Sequence, residues 1–158
     1  MNSHEPTGRP GGIGAVWLMA LSVAGFGVAA YLTTVHYANV PLFCSASGLV
    51  DCSKVVTSQF SVVPGTSVPI TVPGMAFFLV SLGLALAQYL RPQRASLRQA
   101  HFGWACLGLL AVFYLVFVEL VELHHICLWC TGVHVLILLT LLTTAWRLHP
   151  ADELLTTS

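Results

Sequence analysis

The sequence predicts an all-α integral membrane protein, a four-transmembrane-helix bundle with an extracytoplasmic cysteine-bearing loop, and three observations predict it. Hydrophobic residues make up 56% of the chain and charged ones only 8%, with a mean hydropathy of +0.83, a balance unlike that of soluble domains. Four apolar stretches each supply the roughly 20 helical residues needed to cross about 30 Å of hydrocarbon. Their flanks divide the cations unevenly. The expected organisation is a disordered cytoplasmic tail over 1–12, a membrane domain over 13–149 with its outer loop at 38–69, and a cytoplasmic tail over 150–158. Six Lys and Arg are balanced by six Asp and Glu and form no basic stripe, so nucleic-acid binding is not supported.

The first stretch, 13–37, follows Arg9 and contains Val28-Ala29-Ala30, which together mimic a signal peptide. It is too long for a signal core of roughly 7–15 apolar residues, so it is expected to stay as a span. Its small residues, Ala20, Ser22, Ala24, Gly25, Gly27, Ala29 and Ala30, would let a neighbouring helix approach closely. Pro41 is expected to close it. The loop that follows mixes polar residues with Val55, Val56, Phe60, Val62 and Val63. That pattern fits a short amphipathic segment capping the bundle, or an apolar loop folded on itself. Pro64, Pro69 and Pro73 argue against a long regular element there.

The second stretch, 70–90, ends at Arg91-Pro92; the third covers 100–123 and the fourth 127–149. Arg9, Arg91, Arg94, Arg98 and Arg147 fall at one set of ends and only Lys54 at the other. By the positive-inside rule both termini are expected in the cytoplasm. Cys44, Cys52, Cys127 and Cys130 then lie outside, where disulfides persist.

Cys127 and Cys130 form a Cys-x-x-Cys at the start of a hydrophobic helix. Free amides and the helix dipole there favour a thiolate, which suits a redox-active pair. The alternatives are a structural thiol pair or half of a zinc site, with His124 and His125 adjacent; Cys44 and Cys52 lack zinc-knuckle spacing. Cys44 and Cys52 form either a plain stabilising disulfide or a mobile exchanging pair. Cys106 reads as a buried inert thiol. Glu122 reads as interfacial. Glu119, one turn deeper, is either satisfied by neighbours or able to move protons. His134 stands four positions after Cys130, on the same helical face, as either filler or a ligand contact.

These residues resemble the vitamin K epoxide reductase family, in its bacterial branch, over 31–146. Phe43-Cys44 and Asp51-Cys52-Ser53-Lys54-Val55-Val56-Thr57-Ser58 resemble the family's loop cysteines and the stretch that follows them. Tyr114, Glu119 and Ile126-Cys127-Leu128-Trp129-Cys130 resemble the bacterial run into Cys-x-Trp-Cys. Loop pair first and helix pair last is the family's order, opposite to that of the DsbB group. The chain departs from the pattern in having His134 where animal members place a quinone-contacting tyrosine, and no asparagine near Gly74. A chain without the thioredoxin-like domain fused to many bacterial members is expected, its redox partner then being a separate protein.

The resemblance implies a quinone-dependent thiol oxidoreductase. A separate secreted thioredoxin-fold (DsbA-like) protein would give electrons to Cys44, then Cys52 would pass them to Cys127, and Cys130 would face a membrane quinone of the menaquinone, ubiquinone or vitamin K type. No metal is expected. Expected quinone contacts are His134, Ser58, Val56 and Glu119, and the expected location is a bacterial plasma membrane. Rival readings are a quinone-epoxide reductase and a redox-inert tetraspan scaffold or metal-binding protein.

Overall fold

Hydrocarbon offers a peptide group no hydrogen-bond partner, so apolar runs of this length satisfy their own backbones as helices. In the computed structural model, which describes residues 10–38, 44 and 50–156, the long helices are α1 (Pro10–Ala38), α3 (Thr71–Leu90), α4 (Ala95–Phe117) and α5 (Leu128–Thr156), with the short α2 (Cys52–Val56) between the first two. The windows long and apolar enough to cross a membrane are Gly12–Ala38, Thr71–Leu90, Ala95–Leu123 and Leu128–Leu148. Helix α4 begins five residues before the expected 100, because Ala95, Leu97, Arg98 and Gln99 are good helix formers. Helix α5 continues past the expected 149 to Thr156. Of the expected N-terminal tail, 10–12 are already helical. Residues 1–9 and 157–158, and Pro41 as a helix stop, lie outside the described residues.

Helix α1 packs on α3 and α5, and α4 closes the ring against the same two. The ring surrounds Phe77, Phe78, Val112 and Ile137. Trp104 stacks on Phe77, with centroids 5.6 Å apart, and its indole N–H donates to the Phe77 carbonyl. Close approach of α1 and α3 depends on Gly25, where any Cβ would strike the Phe78 ring. Gly27, also expected at a helix contact, faces open space instead. Leu110, Phe113 and Trp146 point outward and are exposed, as expected where lipid is the solvent.

At the end away from the cysteines, polar groups join three helices. Gln88 Nε2 lies 2.9 Å from His101 Nδ1, and Arg147 Nη1 donates to Gln88 Oε1 at 2.8 Å. Gln88 and His101 are both buried.

At the cysteine end the loop is folded on itself. Asp51 caps α2, accepting from the Lys54 N–H at 3.2 Å and from the Ser53 hydroxyl at 2.7 Å. A 3-10 turn, Gln59–Ser61, follows. The chain then doubles back through Gly65, whose φ of 79° suits only a residue without Cβ strain. Val62 bridges Pro69, and the Ile70 N–H donates to the Ser61 carbonyl. α2 turns Cys52 and Val55 inward.

Candidate functional site

The site begins where α4 stops being regular. Its last turn widens into a π-helix, Val118–Leu123, a form that accommodates an extra residue per turn and recurs at functional sites. His124 ends it in the left-handed conformation, with φ of 53°. Glu119 then holds the connection to α5 twice. Its backbone carbonyl accepts from the His125 N–H at 3.2 Å and from the His124 N–H, and its carboxylate lies near the Cys127 N–H.

Cys127 caps α5. The Cys130 N–H donates to Cys127 Sγ at 3.3 Å, and the Thr131 N–H donates to the Cys127 carbonyl at 2.9 Å. Cys127 precedes the span Leu128–Leu148. Its thiol is held below the ordinary cysteine value, chiefly by the hydrogen bond from the Cys130 thiol and despite burial. A thiol so placed is a better leaving group in disulfide exchange. Tyr31 of α1 packs against Trp129, ring centroids 5.1 Å apart, bracing the turn that carries both sulfurs.

The loop pair sits directly beside this turn. Cys44 and Cys52 form a disulfide, while Cys127 and Cys130 are free thiols. Cys52, Val55 and Cys127 form one buried cluster, with Cys44 and Cys130 packed against it. The backbone fixes the register. The Asp51 N–H donates to the Ile126 carbonyl at 3.2 Å, and Val50 and Ile126 form a parallel bridge. Each buried cysteine therefore follows a residue joined by the same hydrogen bond. At the loop's outer face Lys54 Nζ lies 3.1 Å from His125 Nε2. The half-buried Asp51 carboxyl is held below its ordinary value, first by the Ser53 hydroxyl and then by the Lys54 N–H.

Two chambers meet at Cys130 and His134, which line both. The smaller, about 60 Å³, lies beneath the loop and is walled by Val56, Ser58, Glu119 and His36 among others. The larger, about 340 Å³, lies between α1, α3, α4 and α5 and is walled mainly by apolar groups, including Gly74, Phe77, Trp104, Gly108 and Ile137. Cys127 lines neither. Proceeding inward, the order is Cys44–Cys52, Cys127, Cys130, chambers.

All four cysteines singled out by spacing thus come together. His134, Ser58, Val56 and Glu119 also share one wall, that of the smaller chamber. Sequence reasoning missed the larger chamber, whose residues read singly as ordinary core. It also missed His36, whose Nδ1 lies 3.3 Å from the Val56 carbonyl and ties α1 to the end of α2. A histidine at the cysteine end of an apolar span was the signal available for it. Among the described residues, no group of three or more His, Cys, Asp and Glu is arranged to hold a metal ion.

Such an arrangement can pass a disulfide from one pair to the other and expose one sulfur to a molecule within the bundle. The family model described as Vitamin K epoxide reductase family matches residues 16–145. No curated protein matches the chain.

Proposed function

The chain belongs to the vitamin K epoxide reductase family, whose members are quinone-linked thiol oxidoreductases, and from that premise we propose that it reoxidises a secreted thioredoxin-fold protein and passes the electrons to a membrane quinone, supporting disulfide formation as bacterial members of the family do. The carrying observation is the order of the sulfurs. Cys52 and Cys127 are buried against one another, and Cys130 alone of the four borders the chambers.

The partner's dithiol reduces Cys44–Cys52 by attack at Cys44. Cys52 then attacks the Cys127 sulfur of a Cys127–Cys130 disulfide, releasing Cys130. Cys44 next attacks Cys52, re-forming the loop disulfide and releasing Cys127, whose lowered pKa favours its departure. The loop pair joined and the helix pair free is the state that follows, poised to reduce quinone. Two thiols then become one disulfide, and the quinone takes two electrons and two protons to become a quinol.

Size favours the larger chamber for the quinone, since small-molecule pockets occupy roughly 300–1,000 Å³. The ring lies there against Cys130 and His134, whose imidazole donates to the oxygen that gains charge. Ser58, Val56 and Glu119 border the smaller chamber on the other side of the same two residues.

Protein reduced with excess dithiothreitol, desalted without oxygen and mixed with short-chain ubiquinone or menaquinone should form quinol as Cys127 and Cys130 oxidise. No quinol with either quinone overturns the reading. The side of the membrane follows from the five-to-one cation asymmetry. A membrane-impermeant thiol reagent should label Cys44 and Cys52 in reduced intact cells; labelling only after lysis would reverse the orientation and remove a secreted partner.

A further inference from the structure

Resting on that reading, we propose that Glu119 carries a proton from the Cys127–Cys130 pair to the quinone, and that the π-turn of α4 aims it for this task. Three placements carry the inference. Glu119 is only 6% exposed, a costly position for an acid within a span, whereas Glu122, one turn on, is not buried. Its carboxylate lies near the Cys127 N–H and close enough to the Cys127 and Cys130 sulfurs to act on both electrostatically. It also shares the smaller chamber with Cys130 and His134. A π-turn changes the register of side chains around it relative to a continuing α-helix. Here Glu119 lines the chamber while its backbone carbonyl anchors His125.

The chemistry needs such a carrier. When Cys127 and Cys130 join, two S–H bonds break and one S–S bond forms. Two electrons leave the sulfurs for the quinone, and two O–H bonds form there. Cys130 borders the larger chamber and can lose its proton directly toward one quinone oxygen. Cys127 borders neither chamber, so its proton does not face the quinone. Glu119 takes that proton as the Cys127 sulfur attacks Cys130, and delivers it by way of His134 to the second oxygen. His134 borders both chambers, and about 60 Å³ is room enough for bridging water. The titratable groups facing Glu119 are His36 from α1, Cys130 and His134 from α5, and Cys127 at the turn. The wall's loop and α3 residues include Ser58, Ser61 and Thr71 but no ionisable side chain.

Glu119→Gln tests this, because the amide matches the carboxyl group in shape but cannot carry a proton. In detergent-solubilised full chain, single-turnover quinone reduction should slow about 100-fold or more. The quinone concentration for half-maximal rate and the rate of exchange between Cys44–Cys52 and Cys127 should not change. The pH dependence of quinone reduction should change shape, and Glu119→Asp should recover part of the rate. A parental rate and pH profile in Glu119→Gln overturns the carrier role while leaving the relay standing. A parental chain that reduces no quinone ends both. Should Glu119→Gln misfold, seen as loss of the Cys44–Cys52 disulfide, the unmodified chain decides: a solvent deuterium isotope effect on its quinone step is expected, and its absence overturns the carrier.

Discussion

At one end of the bundle Gln88, His101 and Arg147 hydrogen-bond across three helices. At the other, Glu119, His134 and the cysteines surround open space. Both ends bury polar side chains where lipid would penalise them. Neither of the two chambers reaches the Gln88 cluster. Its groups face one another, and their value is in tying helices together. At the cysteine end sulfur and imidazole face a chamber, and their value is in what can enter it. Burial of polar groups alone therefore does not mark a reactive site in this bundle; burial beside a cavity does. The two ends should accordingly fail differently, the far end in stability and the cysteine end in chemistry.

The sharpest test is Cys130→Ala. Quinone reduction should fall to background while helical content and thermal unfolding in detergent stay parental. A Cys52–Cys127 disulfide should accumulate, because Cys130 is no longer there to displace Cys52 from Cys127 and Cys44 is left as the one resolving thiol. A variant that unfolds, or that retains only Cys44–Cys52 with a free Cys127, would erase the contrast between the ends.

His134→Phe comes next. Losing a hydrogen bond to a charged oxygen costs about 1–3 kcal/mol, roughly a 5- to 150-fold slower quinone step. Exchange among the cysteines should survive, and His134→Tyr should retain more activity because a phenol can donate. A parental rate in His134→Phe assigns the residue to packing.

For the far end, Gln88→Leu removes the group joining His101 to Arg147. It should lower stability by about 1–3 kcal/mol, read from denaturation in detergent, with single-turnover quinone reduction unaffected. Lost quinone reduction in a folded Gln88→Leu would mean that the ends are coupled.

The smallest effect concerns Asp51, whose carboxyl is held low by the Ser53 hydroxyl and the Lys54 N–H. A lowered folded-state pKa adds stability that is present above the ordinary carboxylate value of about 4 and is lost as pH falls through the lowered value. The stability of the folded loop should therefore fall on strong acidification. Asp51→Asn keeps the capping oxygen and should flatten that dependence, measured by thermal unfolding in detergent across the acid range.

Much of this was legible in the residues. Hydropathy located the four spans because a membrane imposes a length on apolar runs that no soluble fold does. Cysteine spacing located the sulfurs because Cys-x-x-Cys at a helix start has few chemical uses. The meeting of Cys52 with Cys127 was implied only by family resemblance, since the backbone bond from Asp51 to Ile126 leaves no mark in composition. The π-turn was invisible, because Val118-Glu119-Leu120-Val121 reads as uninterrupted helix. The larger chamber was invisible for another reason: it is an omission of packing, and Gly108 or Trp104 looks the same beside a gap as beside a neighbour. Gln88 and His101 did carry a signal, as polar residues within apolar spans, but their pairing depends on how α3 and α4 face each other.

The meeting of two unlike chambers at Cys130 also bears on selective inhibition. A flat, greasy molecule confined to the larger chamber would compete with any hydrophobic substrate and discriminate poorly among related membrane enzymes. A forked compound could place a compact hydrogen-bonding arm past Cys130 and His134 into the space beneath the loop. There it would meet Ser58, Glu119 and His36, and selectivity could be tuned on that arm without altering the lipophilic half.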